Sequence, residues 1–246
     1  MKKIILGTLI LTLSAVLTGC GGETKEEYYG DGSLQYSAQY NANKQLDGSY
    51  ISYWRNGKVE EKKNYSEGTL DGDFESFYED GTHEVATNYS DGHVDGSFKE
   101  YSKDGKLKIE RNYVDGSPEG EQKDYHKTGE LYNANNYHDG VSHGEHTTYS
   151  KEGKILLKAY YEEGFFHGSY KIYLPDLSES IVATFKSGKL VDGYGYPMRM
   201  VKGFGYRRGK EVKGEKILLR NNSDFRKLML KNGFINMFDK INGLSA

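Results

Sequence analysis

Residues 71–94 read DGDFESFYEDGTHEVATNYSDGHV, and residues 95–118 follow with DGSFKEYSKDGKLKIERNYVDGSP. Aligned end to end, the two segments share glycine at positions 2, 11 and 22 and an aromatic residue at positions 4, 7 and 19. The same 24-residue period extends in both directions and defines six consecutive blocks. They begin at Asp47, Asp71, Asp95, Glu119, His143 and His167. Glycine at positions 2 and 22 and aromatic residues at 7 and 19 recur in all six, so the chain is a repeat array.

Each block has the pattern of a β-hairpin. Asn56-Gly57, Asp80-Gly81 and Asp104-Gly105 separate two strand-like runs, and such dipeptides are a strong hairpin signal. A three-residue loop would pair position 7 with position 13, which opposes Tyr53 to Val59. We therefore predict a packed face built from positions 7, 13, 15 and 19. The position-7 rings are also the candidate interaction face: Tyr53, Phe77, Tyr101, Tyr125, Tyr149 and Tyr173.

The segments on either side of residues 47–190 read as caps of the array. Residues 28–46 form a degenerate N-terminal half-repeat, in which Tyr40 stands one residue out of phase. Residues 191–222 read as irregular β structure or a degenerate repeat. In 223–246 we predict a helical cap, N-capped by Ser223 and running from about 224 to 241, with Phe225, Leu228 and Met229 in its apolar stripe together with Phe238 and Ile241. Such a helix would cover the end of the sheet.

The amino terminus has the features of a secretory signal. A basic start, Met1-Lys2-Lys3, precedes an uncharged apolar run from Ile4 to Val16. Leu17-Thr18-Gly19-Cys20 then resembles the bacterial lipobox, which implies cleavage after residue 19 and lipidation of Cys20. We therefore expect a signal peptide over 1–19, a polar tether over 20–27, and a lipoprotein of the bacterial cell envelope that faces outside the cytoplasm and contacts the membrane through its lipid.

Composition and charge narrow the classes of partner. The chain has 31 Gly and 22 Tyr, a mean hydropathy of −0.78 and one cysteine, so a disulfide within the chain is excluded. Residues 47–190 carry a net charge of −10, and residues 191–246 hold 12 Lys and Arg against 5 Asp and Glu. Because an acidic array repels phosphate backbones, we expect no nucleic-acid partner.

No constellation of catalytic type stands out, and we predict no enzyme, no resident metal and no cofactor. The tightest histidine cluster, His138-Asp139 with His143 and His146, is a conceivable metal site. Solvated loop histidines are the favoured interpretation, because His143 replaces an acidic residue at a linker position. The tyrosine ladder could bind glycans or choline, but such modules rely on tryptophan and Trp54 is the single tryptophan here.

The repeats resemble the bacterial MORN-variant family. Its pattern of spaced glycines, paired aromatics and a following Asn/Asp-Gly turn is met by Gly68, Gly72, Phe74, Phe77 and Tyr78, with the turn at Asp80-Gly81. The next copy has Gly92, Gly96, Phe98 and Tyr101, whereas Gln122 and His146 depart from the pattern at position 4.

This resemblance implies an all-β repeat array, an extended antiparallel hairpin meander of MORN type, closed here by a short C-terminal helical cap. It also implies a non-catalytic binding or scaffold surface with a protein partner. The alternative is an antitoxin- or immunity-like protein that neutralises a toxin, since many bacterial members carry that label. Neither hypothesis names the partner.

Overall fold

The computed structural model describes residues 22–173, 179–195, 198–199, 212–213 and 216–231. The chain divides into two compact units. The first holds residues up to 119 together with 127–129, and the second holds residues 120–126 and those from 130 onward.

The first unit is an antiparallel sheet whose strands pair in chain order, except that the short strand at 93–94 and the strand at 96–101 both pair with the strand at 83–90. The predicted antiparallel meander is confirmed in it. Its strands are β1 (Glu23–Tyr28), β2 (Leu34–Tyr40), β3 (Leu46–Tyr53), β4 (Val59–Ser66), β5 (Thr69–Phe77), β6 (His83–Ser90), β7 (His93–Val94), β8 (Gly96–Tyr101), β9 (Leu107–Val114) and β10 (Ser117–Pro118).

The second unit continues the hairpin pattern and adds a helix. Its strands are β11 (Gly120–Tyr125), β12 (Leu131–His138), β13 (Val141–Tyr149), β14 (Ile155–Glu162), β15 (Phe165–Tyr173), β16 (Glu179–Lys186), β17 (Lys189–Gly195), β18 (Met198–Arg199), β19 (Val212–Lys213) and β20 (Ile217–Leu218), followed by α1 (Asn222–Lys231). Strands β18 and β19 pair with each other, and β20 pairs with β17. The predicted all-β array with a short C-terminal helix is therefore confirmed.

The turn inside each of the first five blocks is the predicted three-residue loop. Tyr53 pairs with Val59, and equivalent pairs join Tyr101 to Leu107 and Tyr149 to Ile155. At the first turn the Trp54 amide donates to the Lys58 carbonyl at 2.8 Å, and Gly57 holds a φ of 80°. Glycine adopts that left-handed conformation at no steric cost, which explains why position 11 keeps it.

The link between blocks is itself a tight two-residue turn. Glu67 and Gly68 have φ values of 49° and 88°, as a type I′ turn requires at both central positions. The Gly68 amide donates to the Leu46 carbonyl at 2.7 Å, and the Asp47 carboxylate accepts from the Glu67 amide at 3.3 Å. Each link is thus tied to the start of its own block, which stacks the repeats in a fixed register.

The N-terminal cap differs from the prediction. Residues 23–27, assigned to a polar tether, form β1 together with Tyr28, and the pairing of β1 with β2 completes a full hairpin rather than a half-repeat. The phase shift of Tyr40 has a simple origin. Five residues, 41–45, separate the paired Tyr40 and Leu46, whereas four separate the paired Tyr65 and Leu70. The extra residue in this link offsets the first hairpin by one.

The C-terminal helix also differs in detail. The Asp224 N–H in the first turn of the helix donates a hydrogen bond of 3.0 Å to Asn221 Oδ1, so Asn221 rather than Ser223 is the N-cap. The predicted apolar stripe is confirmed for Phe225, Leu228 and Met229, which are 1–3% exposed. Phe238 and Ile241 lie outside the described residues. The helix packs on the face of the sheet instead of covering its end.

Candidate interaction surface

A β-bulge in every hairpin determines which side chains share a face. In the first block Tyr53 pairs with Val59 but Ser52 pairs with Glu61, so Glu60 at position 14 has no partner in the ladder. Because side chains alternate along a strand, this extra residue moves positions 13 and 15 to opposite faces. The predicted packed face is therefore wrong. Positions 4, 6, 15, 17 and 19 share one face, and positions 7 and 13 lie on the other.

The first of these faces carries two columns of rings in the first unit, which we call the aromatic face. Position 4 supplies one column and position 19 the other, and the first hairpin adds Tyr36. Its members are Tyr36, Tyr50, Tyr65, Phe74, Tyr89, Phe98 and Tyr113. Within a block the two rings meet edge to face, with centroids 6.3 Å apart for Tyr50 and Tyr65 and 5.9 Å apart for Phe74 and Tyr89.

Polar side chains lie among these rings. Lys63 places its Nζ 5.5 Å from the Tyr50 centroid and 5.7 Å from the Phe74 centroid, while forming an ion pair with Glu61 at 2.6 Å. Burial by itself lowers the pKa of this ammonium group, but the Glu61 carboxylate outweighs it and the Lys63 pKa is raised. Burial also raises the pKa of Tyr50, and raises that of Tyr36 to about 12. These hydroxyls are neutral in the folded protein.

The aromatic face has no second layer within its own unit, because every described element of that unit is a strand of the sheet. Most of its rings are half-buried by their neighbours alone. Such a half-buried aromatic surface is typical of a binding site.

In the second unit a helix covers one ring pair of the same columns. Phe225 of α1 lies 5.1 Å from Tyr170 at position 4 and 5.1 Å from Phe185 at position 19, nearly perpendicular to both rings. Leu228 and Met229, one turn later, are 3% and 1% exposed in the same cluster. Asn222 anchors the start of the helix, because its side chain accepts from the Leu190 amide and donates to the Gly188 carbonyl.

The rings at position 7 have a different environment from the one predicted. They lie near the hairpin tips on the opposite face, where the Phe77 ring contacts His83 at 4.5 Å and His83 lies 6.4 Å from Tyr101. All six are half-buried. Their carbonyls join neighbouring hairpins, since Trp54 Nε1 donates to the Phe77 carbonyl and the Tyr78 hydroxyl to the Tyr101 carbonyl. That these six rings form the interaction face stays a prediction.

The predicted histidine cluster converges only in part, and His138 Nε2 lies 3.8 Å from Asp139 Oδ2. His138 and His143 bring their rings to 6.0 Å, but His146 projects onto the face that α1 covers, between Tyr137 and Tyr161. Its Nε2 lies 2.8 Å from the Asn136 carbonyl, and burial lowers the pKa of its ring. His146 is therefore a neutral packing residue in place of the usual aromatic.

Two further predicted features concern the membrane. Cys20 and the apolar segment before it lie outside the described residues. Among the helical residues that the structure describes, none forms a helix long and apolar enough to span a bilayer.

Sequence reasoning found the columns at positions 4 and 19 but did not unite them as one face. The signal was available in the turn: a three-residue loop of this type creates a bulge just after position 13. Counting through that bulge would have placed position 15 beside position 4 rather than beside position 7. The hydrogen-bonding roles of Trp54 and Tyr78 depend on the neighbouring hairpin and leave no local signal.

Four segments of the array are similar to a known protein family. The family model described as MORN repeat variant matches residues 46–67, 70–91, 94–115 and 142–163. The blocks that begin at Glu119 and His167 fall outside these matches, yet they form the same hairpins, β11–β12 and β15–β16. No curated protein matches the chain. MORN repeats suggest a repeat-based interaction or scaffold surface, and their all-β fold is typically non-catalytic.

Proposed function

We propose that this protein is a membrane-anchored interaction module, held at the cell envelope by lipid on Cys20, that binds a partner protein through the aromatic face. The observation that carries the proposal is the contrast between the two units. In the second unit α1 covers the Tyr170–Phe185 pair, whereas every described element of the first unit is a strand of the sheet that carries the equivalent rings. A half-buried column of aromatic rings on one face of a sheet is a surface that protein partners bind.

The proposal includes no catalytic step. The charged groups on the aromatic face are spread along the array instead of converging at one point: Glu61 and Lys63 lie beside Tyr50 and Phe74, and Arg111 lies across from Phe98. The acidic charge of the array supports a protein rather than a nucleic acid as the partner.

The binding part of the proposal is tested by affinity capture from envelope extract with three forms of the full chain. Wild type and Phe77→Ala should retain the same partner, and Phe74→Ala should lose it. Phe77 is a matched control, because it lies on the same strand, is also half-buried and points to the opposite face. Equal loss in both variants would refute the assignment to the aromatic face. If a toxin is the sole partner retained, the antitoxin-like alternative replaces the scaffold.

The anchor is tested separately with a clickable palmitate analogue. Wild-type chain should incorporate the label, and Cys20→Ala should not. Label that persists in Cys20→Ala, or is absent from wild type, would refute lipidation at this residue. The capture experiment and the labelling experiment fail independently, so the two halves of the proposal can be judged apart.

A further inference from the structure

Resting on the proposed function, we infer that the occupant of the aromatic face is a basic amphipathic α-helix of the partner protein, which inserts an aromatic side chain between Phe74 and Tyr89. The molecule contains a template for this complex. In the second unit a helix already covers the equivalent rings.

The geometry of the receiving ring pairs is the same in both units. The pair that receives Phe225, Tyr170 and Phe185, has centroids 6.2 Å apart and an interplanar angle of 73°. Phe74 and Tyr89 are 5.9 Å apart at 69°. Both pairs come from positions 4 and 19 of one block, so a ring that fits one pair meets a similar arrangement of edges and faces at the other. Phe166, which lies 5.1 Å from both Tyr170 and Phe185, has Leu70 as its counterpart in the first unit.

The residue at position 17 selects one site within the aromatic face. Tyr170 lies across the ladder from Ala183, a small residue that leaves room for α1. In the first unit the position-17 residues are Lys63 across from Tyr50, Thr87 across from Phe74 and Arg111 across from Phe98. Thr87 is the smallest of the three. Lys63 borders the Phe74 ring from the neighbouring strand, with its Nζ 5.7 Å from the ring centroid. The Phe74–Tyr89 pair therefore has the most room for a helix on its Thr87 side.

The pattern of α1 defines the chemistry of the occupant. Its buried residues Phe225, Leu228 and Met229 follow the i, i+3, i+4 spacing of one helix face. The other side carries Arg226 and Lys227, and the helix has three basic residues and one acidic residue. Residues 22–119 hold 21 Asp and Glu against 11 Lys and Arg. This negative field attracts a basic helix and raises its rate of association.

The direct test uses a fluorescent peptide of residues 221–231, NNSDFRKLMLK, as the helical probe in an anisotropy titration with the full chain in non-ionic detergent. Phe74→Ala should weaken binding about five- to tenfold, the equivalent of one lost aromatic contact. Phe77→Ala should change the affinity less than about twofold, as expected for a residue outside the interface. A peptide of the same composition with its apolar residues off the i, i+3, i+4 spacing should not bind. Equal effects of the two chain variants, or equal binding of the rearranged peptide, would overturn the inference.

A second variant guards against misfolding of Phe74→Ala. Thr87→Arg places at position 17 the residue that the next block already has at Arg111, so the hairpin accommodates it while the space above Phe74 is filled. It should abolish peptide binding and leave the circular dichroism spectrum unchanged. Retained binding with an arginine at this position would overturn the site.

Two other results separate this inference from the proposed function. Phe74-dependent capture of a protein partner together with no peptide binding overturns the helical occupant and leaves the proposed function standing. Sedimentation of the chain alone as a Phe74-dependent dimer would show that the occupant is a second copy, and would overturn a helix from another protein.

Discussion

The helix α1 should stabilise the second unit chiefly through one ring, and Phe225→Ala tests this. Phe225 is 1% exposed and makes two perpendicular ring contacts at 5.1 Å, with Tyr170 and Phe185. Replacement of a buried phenylalanine by alanine costs about 3–5 kcal/mol, because the transfer free energy is lost and a cavity remains. Each perpendicular ring pair contributes about 0.5–1.5 kcal/mol beyond its buried area. Because the neighbouring residues of the helix can shift to fill part of the cavity, we expect a loss of unfolding free energy near 3 kcal/mol, at the lower end of the range of about 3–5 kcal/mol.

Hydrogen exchange followed by mass spectrometry resolves where the loss falls. Peptides from β15, β16 and β17 should lose protection in Phe225→Ala, whereas peptides from β3 to β6 should not, because stability in a repeat array passes between neighbours. Leu230→Ala is the matched control. Leu230 lies on the same helix but is 44% exposed, so its removal should change the free energy of unfolding by less than about 0.5 kcal/mol.

Two results would refute the reasoning. A loss below about 1 kcal/mol would mean that Phe225 does not fill a packed site. Loss of protection spread equally over β3 to β6 would mean that the helix acts on the whole array and not on the strands it contacts.

Three further predictions follow from backbone geometry and from titration. Gly68→Ala should destabilise the protein by about 1–2 kcal/mol in urea unfolding, because Gly68 holds a φ of 88°. Glu67→Asn, at the preceding link position, should not destabilise it, because asparagine tolerates the positive φ of a type I′ turn. Equal losses in the two variants would contradict the type I′ assignment. The second unit should be most stable above pH 6.5 and lose stability as the pH falls below that value, because burial lowers the pKa of His146 in the folded state while the unfolded chain still takes up a proton. His146→Gln, which places here the residue found at Gln122, should flatten this pH dependence. An unchanged slope of stability against pH would contradict the role of His146. Burial raises the pKa of Tyr36 to about 12, above its usual 10, so the stability that it contributes should be full below pH 10 and fall between pH 10 and about 12. In an ultraviolet titration, Tyr36→Phe should show one late-ionising tyrosine fewer than wild type.

Much of the fold was predictable because the same turn sequence recurs in several repeats. Gly57, Gly81 and Gly105 fixed the three-residue loop, and the loop fixed the pairing of Tyr53 with Val59. The link glycines indicated positive φ, which Gly68 has. Turn chemistry is local, so a single sequence carries it in full.

The faces were not predicted, because a bulge reverses the alternation on which the prediction depended. Glu60 is an ordinary residue, and its bulge follows from the geometry of the loop before it. The strand β1 was missed for a related reason. Glu23–Tyr28 is charged and only half-buried, so its pattern resembles a solvated tether until β2 is placed beside it.

The position of α1 could not be predicted from its own pattern. The spacing of Phe225, Leu228 and Met229 indicated an amphipathic helix. Its packing on Tyr170 and Phe185, however, depends on the small residue Ala183 beside them. Tertiary complementarity of this kind involves three separate segments of chain. The same complementarity at Phe74, Tyr89 and Thr87 is what distinguishes the candidate site from the rest of the aromatic face.

The most direct test of the central claim is photo-cross-linking in living cells, with benzoylphenylalanine placed at Tyr50 or at Tyr53. The two residues are three apart on β3, and the first lies on the aromatic face while the second lies on the opposite face. We expect one discrete protein adduct from position 50 and none from position 53. An adduct from position 53 alone would assign binding to the position-7 rings and contradict the aromatic face.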